Sequence, residues 1–263
     1  MLKRELKINL KSFIIWSSIL IGLSVLIVLI YPSIINVENI ESMEEMLKMF
    51  PEEVLKAFNM DLASIDNPFG WLKTEGFVFI LLIITSYSAI LGSNILLKEE
   101  SDKTIEYLNM LPVTRNNVII RKSICGIFYI FLMIFIVGIL NFIALSIVQE
   151  FDIKQYLLLS ITPIFPSIVA FFLTMFLSTF TNKTKKMVGV SLGIIFISYI
   201  LQTLSQISEK IEFLKYFSIF TLADTRNAIQ NITIEPIFII ISIVLAIIFF
   251  IATKVNYNKK EFV

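Results

Sequence analysis

The chain has 263 residues, 57% of them hydrophobic, and a formal net charge of +1 from 22 basic and 21 acidic residues. Its mean hydropathy of +0.85 is far above that of a soluble domain and points to the bilayer as solvent. With no histidine and a single cysteine, Cys125, it can form no internal disulfide, no thiolate metal cluster and no Ser-His or Cys-His nucleophile.

Residues 1–12 set Leu2, Leu6 and Leu10 on one helical face among Lys3, Arg4, Lys7 and Lys11, which predicts an interfacial elbow helix. Six charge-free apolar windows, each long enough to cross a hydrocarbon core as a helix, follow at 13–35, 76–97, 124–148, 157–180, 188–206 and 237–253. No ionisable group is therefore expected inside the spans. The first window reads as a retained anchor, because its apolar run exceeds a signal-peptide core and residues 31–35 lack a small-residue cleavage pattern. The expected fold is all-α and polytopic, a single transmembrane domain over 1–263.

The segments between the windows have character of their own. In the external loop 36–75, Met43, Met46, Leu47, Phe50, Val54, Leu55 and Phe58 recur at three- and four-residue spacing and Pro51 suits a helix start, so two amphipathic helices are expected. Pro163 and Pro166 predict a kink near the outer end of the fourth span. Residues 207–236 are too apolar for a wet loop and are expected to be helices that partly re-enter the outer leaflet.

Charge fixes the orientation. Basic residues collect in the N-terminus (Lys3, Arg4, Lys7, Lys11), loop 98–122 (Lys98, Lys103, Arg115, Arg121, Lys122), residues 181–187 (Lys183, Lys185, Lys186) and the tail (Lys254, Lys259, Lys260). The segments of opposite parity hold only Lys48, Lys56, Lys73, Lys154, Lys210, Lys215 and Arg226, and the first external loop is rich in Asp and Glu. Basic flanks stay on the cytoplasmic side, so both termini and loop 98–122 are expected there.

That loop reads KEESDKTIEYLNMLPVTRNNVIIRK. Ser101 is placed to cap a short helix in which Ile105, Leu108 and Leu111 recur every third residue before Pro112 ends it, and Thr114 is placed to cap the helix leading into the third span. From these residues alone, a solvated connector and a docking surface for a cytosolic partner are equally served. Glu99-Glu100 has no histidine to complete a metal site, and none of the eight glycines stands in a G-x-x-x-x-G-K-[ST] phosphate cradle. The chain is therefore not expected to be an enzyme, to bind a cofactor or metal, or to bind nucleic acid.

At this loop the sequence resembles the permease subunits of type-2 ATP-binding-cassette (ABC) exporters. In that family an acidic pair leads into a Thr-Ile-Glu-Tyr-Leu-like segment and a Leu-Pro-Val-Thr-Arg-like turn, matched here by Glu99, Glu100, Thr104, Ile105, Glu106, Leu108, Leu111, Pro112, Val113, Thr114 and Arg115. The family's usual Gly before the Thr is Lys103 here. The resemblance extends over the whole chain, from basic elbow through six spans, and includes the Phe50–Phe58 segment. It implies two permease copies, identical or related, each seating a coupling helix near Ser101–Met110 on a separate ABC ATPase subunit that carries the ATP and Mg. It further implies that Glu99, Glu100 and Glu106 pair with basic groups of that ATPase while Ile105 and Leu108 fill its groove. The implied setting is a bacterial cell membrane, with lipids around the spans. The charge-free, Phe-rich spans suit an amphipathic peptide, antimicrobial or lipid-like cargo. The alternatives are a non-transporting membrane scaffold or immunity protein and, behind it, a secondary transporter.

Overall fold

A computed structural model describes residues 2–34, 49–50, 55, 68–105, 113–148, 150–223, 225, 228 and 231–260, and every regular element among them is helical. The amphipathic helices expected over 41–58 lie almost wholly outside the described residues. Among the described residues, six helical segments are long and apolar enough to cross a membrane.

Helix α1 runs uninterrupted over Leu2–Ile34. The residues expected to form an elbow are thus continuous with the helix of the first span from Leu2 on. Two physical reasons account for this: residues 2–13 contain neither Gly nor Pro, and the segment is held alongside a neighbouring helix by buried polar side chains described below. Along α1 the buried positions are Glu5, Asn9, Phe13, Ser17, Leu20, Ser24, Val28 and Tyr31, a stripe of three- and four-residue steps. The remaining faces are open, with Ile14 and Leu26 more than half exposed. Apolar exposure of this kind costs nothing in lipid, where small residues and van der Waals fit decide which face packs.

The second span, α2 (Phe77–Ser101), follows a helical turn at Pro68–Trp71 and a π-turn at Leu72–Gly76. It is the centre of the bundle, buried on most of its length and in contact with α1, α3 (Arg115–Val148), α5 (Ile164–Ser178) and α6 (Thr184–Ser205). Two glycines permit this closeness. A Cβ on Gly92 of α2 would lie 2.2 Å from the carbonyl oxygen of Phe171 in α5, and one on Gly126 of α3 would lie 2.2 Å from the Phe171 ring. Phe171 itself is fully buried, so this one residue of α5 meets α2 through its carbonyl and α3 through its ring.

The fourth span is divided into α4 (Ile153–Ile161), capped by the Asp152 carboxylate on the amides of Lys154 and Gln155, and α5. The break falls at Thr162-Pro163, at one of the prolines expected to kink it; Pro166 sits in the first turn of α5, where a missing N–H leaves no bond unmade. Helix α6 is followed by 3-10 helices at Glu209–Phe217 and Ile219–Ala223. These fold back along α6: Ser218 Oγ donates to the Ser198 carbonyl at 2.8 Å and the Ile219 amide donates to Ser198 Oγ at 2.7 Å. Ser198 is seven residues before the end of α6, about 10 Å along its axis. The segment expected to be helical is so here, as 3-10 helix over these two stretches and α-helical at residues 225 and 228, and one of its amides is satisfied by a span side chain, Ser198. The last span, α7 (Pro236–Lys259), starts with Pro at its first position, which needs no N–H.

At each span the helix runs past the charge-free window, in α4 and α6 by a few residues at the start that include Lys154, Lys185 and Lys186. The N-terminal turns of α1 and α3 and the C-terminal turns of α2 and α7 carry Glu5, Lys122, Glu99 and Lys259 in helical backbone. A window closed at the first charge stops short of these turns, and they build the site.

Candidate functional site

The two arms of loop 98–122 leave the bundle at the end where α1 begins and α7 finishes. On the first arm, α2 continues through Ser101. Ser101 thus closes a helix rather than capping a new one. Its exit is a left-handed C-cap: Thr104 N donates to Glu99 O at 2.8 Å, Lys103 N donates to Glu100 O at 3.2 Å, and Lys103 has φ 55°. This bond pattern demands a residue in the left-handed region, where Gly is at ease and a side chain is not. It gives a physical reason for a Gly at this position, and Lys103 adopts the same geometry without one. Of the segment beyond it, Ile105 is helical and buried; Glu106, Leu108, Leu111 and Pro112 lie outside the described residues.

Beneath that turn sits a buried charge cluster. Lys122 Nζ, on α3, donates to Glu99 Oε1 and Oε2 at 2.8 and 2.9 Å, to Glu5 Oε2 at 3.1 Å and to the Ile95 carbonyl at 2.6 Å. The Lys122 side chain is 1% exposed, that of Glu5 3% and that of Glu99 4%. An ammonium has three protons, and here Glu99, Glu5 and a main-chain carbonyl divide them. Asn9, one turn after Glu5, donates to the Glu5 carbonyl at 2.9 Å and faces Cys125 Sγ at 4.0 Å, while Tyr129 donates to the Leu6 carbonyl. Polar groups of α1, α2 and α3 therefore converge at one level, which holds the first turns of α1 against α3. Glu99, expected to meet a partner, instead faces inward and anchors its own arm.

The second arm enters α3 through Thr114, whose Oγ1 accepts from the Asn117 amide at 3.3 Å, the cap its position predicts. Arg115 Nη1 then reaches across to the end of α7 and donates to the carbonyls of Tyr257, Asn258 and Lys260 at 3.3, 3.0 and 2.9 Å. Asn258 Nδ2 donates to Asn116 Oδ1 at 2.9 Å. From the tail, Lys260 Nζ donates to Glu100 Oε1 and to the Thr181 carbonyl, each at 2.8 Å. The loop's two roots, the N-terminal turns of α1, the α5–α6 connection and the end of α7 thus share one end of the bundle, the end that also holds most of the basic residues.

Of the nine residues expected to couple to a partner, five are described: Glu99, Glu100 and Arg115 are each tied to other helices or the tail, Thr104 bonds back to Glu99, and Ile105 is buried. Sequence reasoning missed Glu5, Lys122 and Lys260 as their partners. The signal for Lys122 was its place just two residues before an apolar window, where a lysine reads equally well as a topology flank. Among the described residues no group of three or more His, Cys, Asp or Glu side chains could hold a metal ion.

Six apolar helices, with a charged end that gathers both chain ends and one long loop, define a multi-pass membrane protein. Residues 11–262 match the family described as ABC-2 family transporter protein, and the chain belongs to it. Membership implies the role of a membrane permease subunit and an ABC ATPase subunit as partner. No curated protein and no solved structure matches the chain.

Proposed function

We propose that the chain is the translocating subunit of an ATP-driven exporter in a bacterial cell membrane, working as a pair of identical or related copies, with ATP and Mg held by the separate ATPase. The charged end faces the cytosol, following the distribution of its basic residues. The segment around 101–112 docks in a groove of the ATPase through the exposed turn Ser101–Lys103, Glu106 and Leu108. One observation supports this most: the segment is presented by two helices whose bases are tied into the bundle by buried charge. Closure of an ATPase dimer would displace it, and arms rooted in Lys122–Glu99 and Arg115–α7 would pass the displacement to the spans instead of absorbing it. The cargo class that fits is an amphipathic peptide, antimicrobial or lipid-like molecule, since the spans offer aromatic and aliphatic surface.

The test is reconstitution with an ABC ATPase encoded beside this chain. Co-purification is expected, and Glu106→Ala with Leu108→Ala should lower ATP hydrolysis by the complex several-fold while leaving the permease fold intact. Retained hydrolysis, or no retained ATPase, would remove the reading.

A further inference from the structure

The bonds at the charged end treat α7 differently from what its position in the chain suggests. The loop is covalently joined to α2 and α3, and these two would be its only levers if contacts ended there. Yet both arms are also bonded to the end of α7 and the residue that follows it: Glu100 on the first arm by the ion pair with Lys260, and Arg115 on the second by the carbonyls of Tyr257 and Asn258 in the last turn and of Lys260 just beyond. The last carbonyls of a helix have no partner within it and carry the negative end of its dipole. A cation belongs there. In contrast, Arg115 stands at the first position of its own helix α3, where the positive dipole end disfavours it. The residue is thus poorly placed for α3 and well placed for α7.

Lys260 adds a direction. Its second bond, to the Thr181 carbonyl, joins the same clasp to the α5–α6 connection, and its side chain is 13% exposed against 8% for Glu100. The pair is shielded enough for its charges to hold at physiological salt. By comparison α7 has few buried residues along its length, Ser242, Ala246, Thr253 and Tyr257, and most of its other faces are open. Along its shaft α7 packs mainly on α5, with Phe250 against Phe172 and Phe249 against Phe176, and the clasp adds a direct bond from its end to both arms of the loop.

We infer that Arg115 and Lys260 are positioning residues that make α7 a third lever, moving with the coupling segment when an ATPase partner acts on it. This rests on the docking reading above.

The test uses the complex with its ATPase in lipid nanodiscs and spin-label distances with and without ATP and Mg2+. Labels go at exposed positions: Asp102→Cys for the loop, Val255→Cys for α7 and Lys185→Cys as the common reference. The sole native cysteine, Cys125, is buried. In the otherwise unaltered chain both the 102–185 and the 255–185 distances should shift with nucleotide. In Arg115→Gln with Lys260→Gln, the 102–185 shift should persist and the 255–185 shift should fall to less than half. Lys260→Arg should keep both. Should the double variant fail to assemble, Lys260→Gln alone should still reduce the 255–185 shift. A 255–185 shift that survives loss of the clasp, or is absent while the loop moves, overturns the inference and leaves the docking reading standing. An immobile loop in the unaltered chain overturns both.

Discussion

Lys122 Nζ lies 2.8 Å from Glu99 Oε1, and the two side chains are 1% and 4% exposed. The pair joins the end of α2 to the start of α3 directly under the turn that launches the coupling segment. With Glu5 as a second acceptor at 3.1 Å, the cluster holds two carboxylates and one ammonium, and the ammonium is the member it cannot lose.

An order of stabilities follows. Lys122→Met would leave two carboxylates buried without a counter-charge and should cost about 3–5 kcal/mol. Glu99→Gln removes the closer, two-oxygen contact but leaves Lys122 paired with Glu5, so it should cost less. Glu5→Gln removes the longer contact and a surplus negative charge, and should cost least. Thermal unfolding of the purified protein in one detergent checks the order; a Glu5 variant less stable than the Lys122 variant would contradict it.

Lys103 gives a prediction in the stabilising direction. Its φ of 55° costs an L-residue about 1 kcal/mol or somewhat more relative to Gly. Lys103→Gly should therefore stabilise by about 0.5–1 kcal/mol after the unfolded chain's added freedom is counted, whereas Lys103→Val should destabilise. The side chain is exposed, so burial does not confuse the comparison. Melting temperatures of the two variants should lie on opposite sides of the parent.

Phe171 separates two glycines that look alike. Gly92→Ala meets a main-chain carbonyl and Gly126→Ala meets the Phe171 ring. Overpacking of this kind costs about 1–3 kcal/mol, but only a side chain can be trimmed. Phe171→Leu should therefore recover much of the stability lost in Gly126→Ala and little of that lost in Gly92→Ala, as read by a double-mutant comparison of melting temperatures.

These features also show what the sequence makes legible. The spans were visible because lipid demands long uncharged helices, and Thr114 because a cap is a local matter. The left-handed turn at Lys103 was marked only by the Gly that the resembling family uses there. The charge cluster was hidden because Glu5, Glu99 and Lys122 stand far apart in the chain, and all three lie outside the charge-free windows. Arg115 read as a surface contact since its partners are main-chain carbonyls, which have no residue identity to search for. That residues 2–12 continue into α1 as one helix was not legible either: the leucines follow an interfacial pattern, while the buried face carries Glu5 and Asn9.

The docking of loop 98–122 on an ABC ATPase is tested most directly by placing a photo-crosslinking amino acid at Asp102, on the exposed turn, in the chain co-expressed with that ATPase. A control at Phe213, on the 3-10 segment beyond the far end of α6, uses the same chemistry. The account predicts a covalent adduct with the ATPase from position 102 and none from 213. An ATPase that co-purifies but cross-links only from 213, or from neither position, would contradict it.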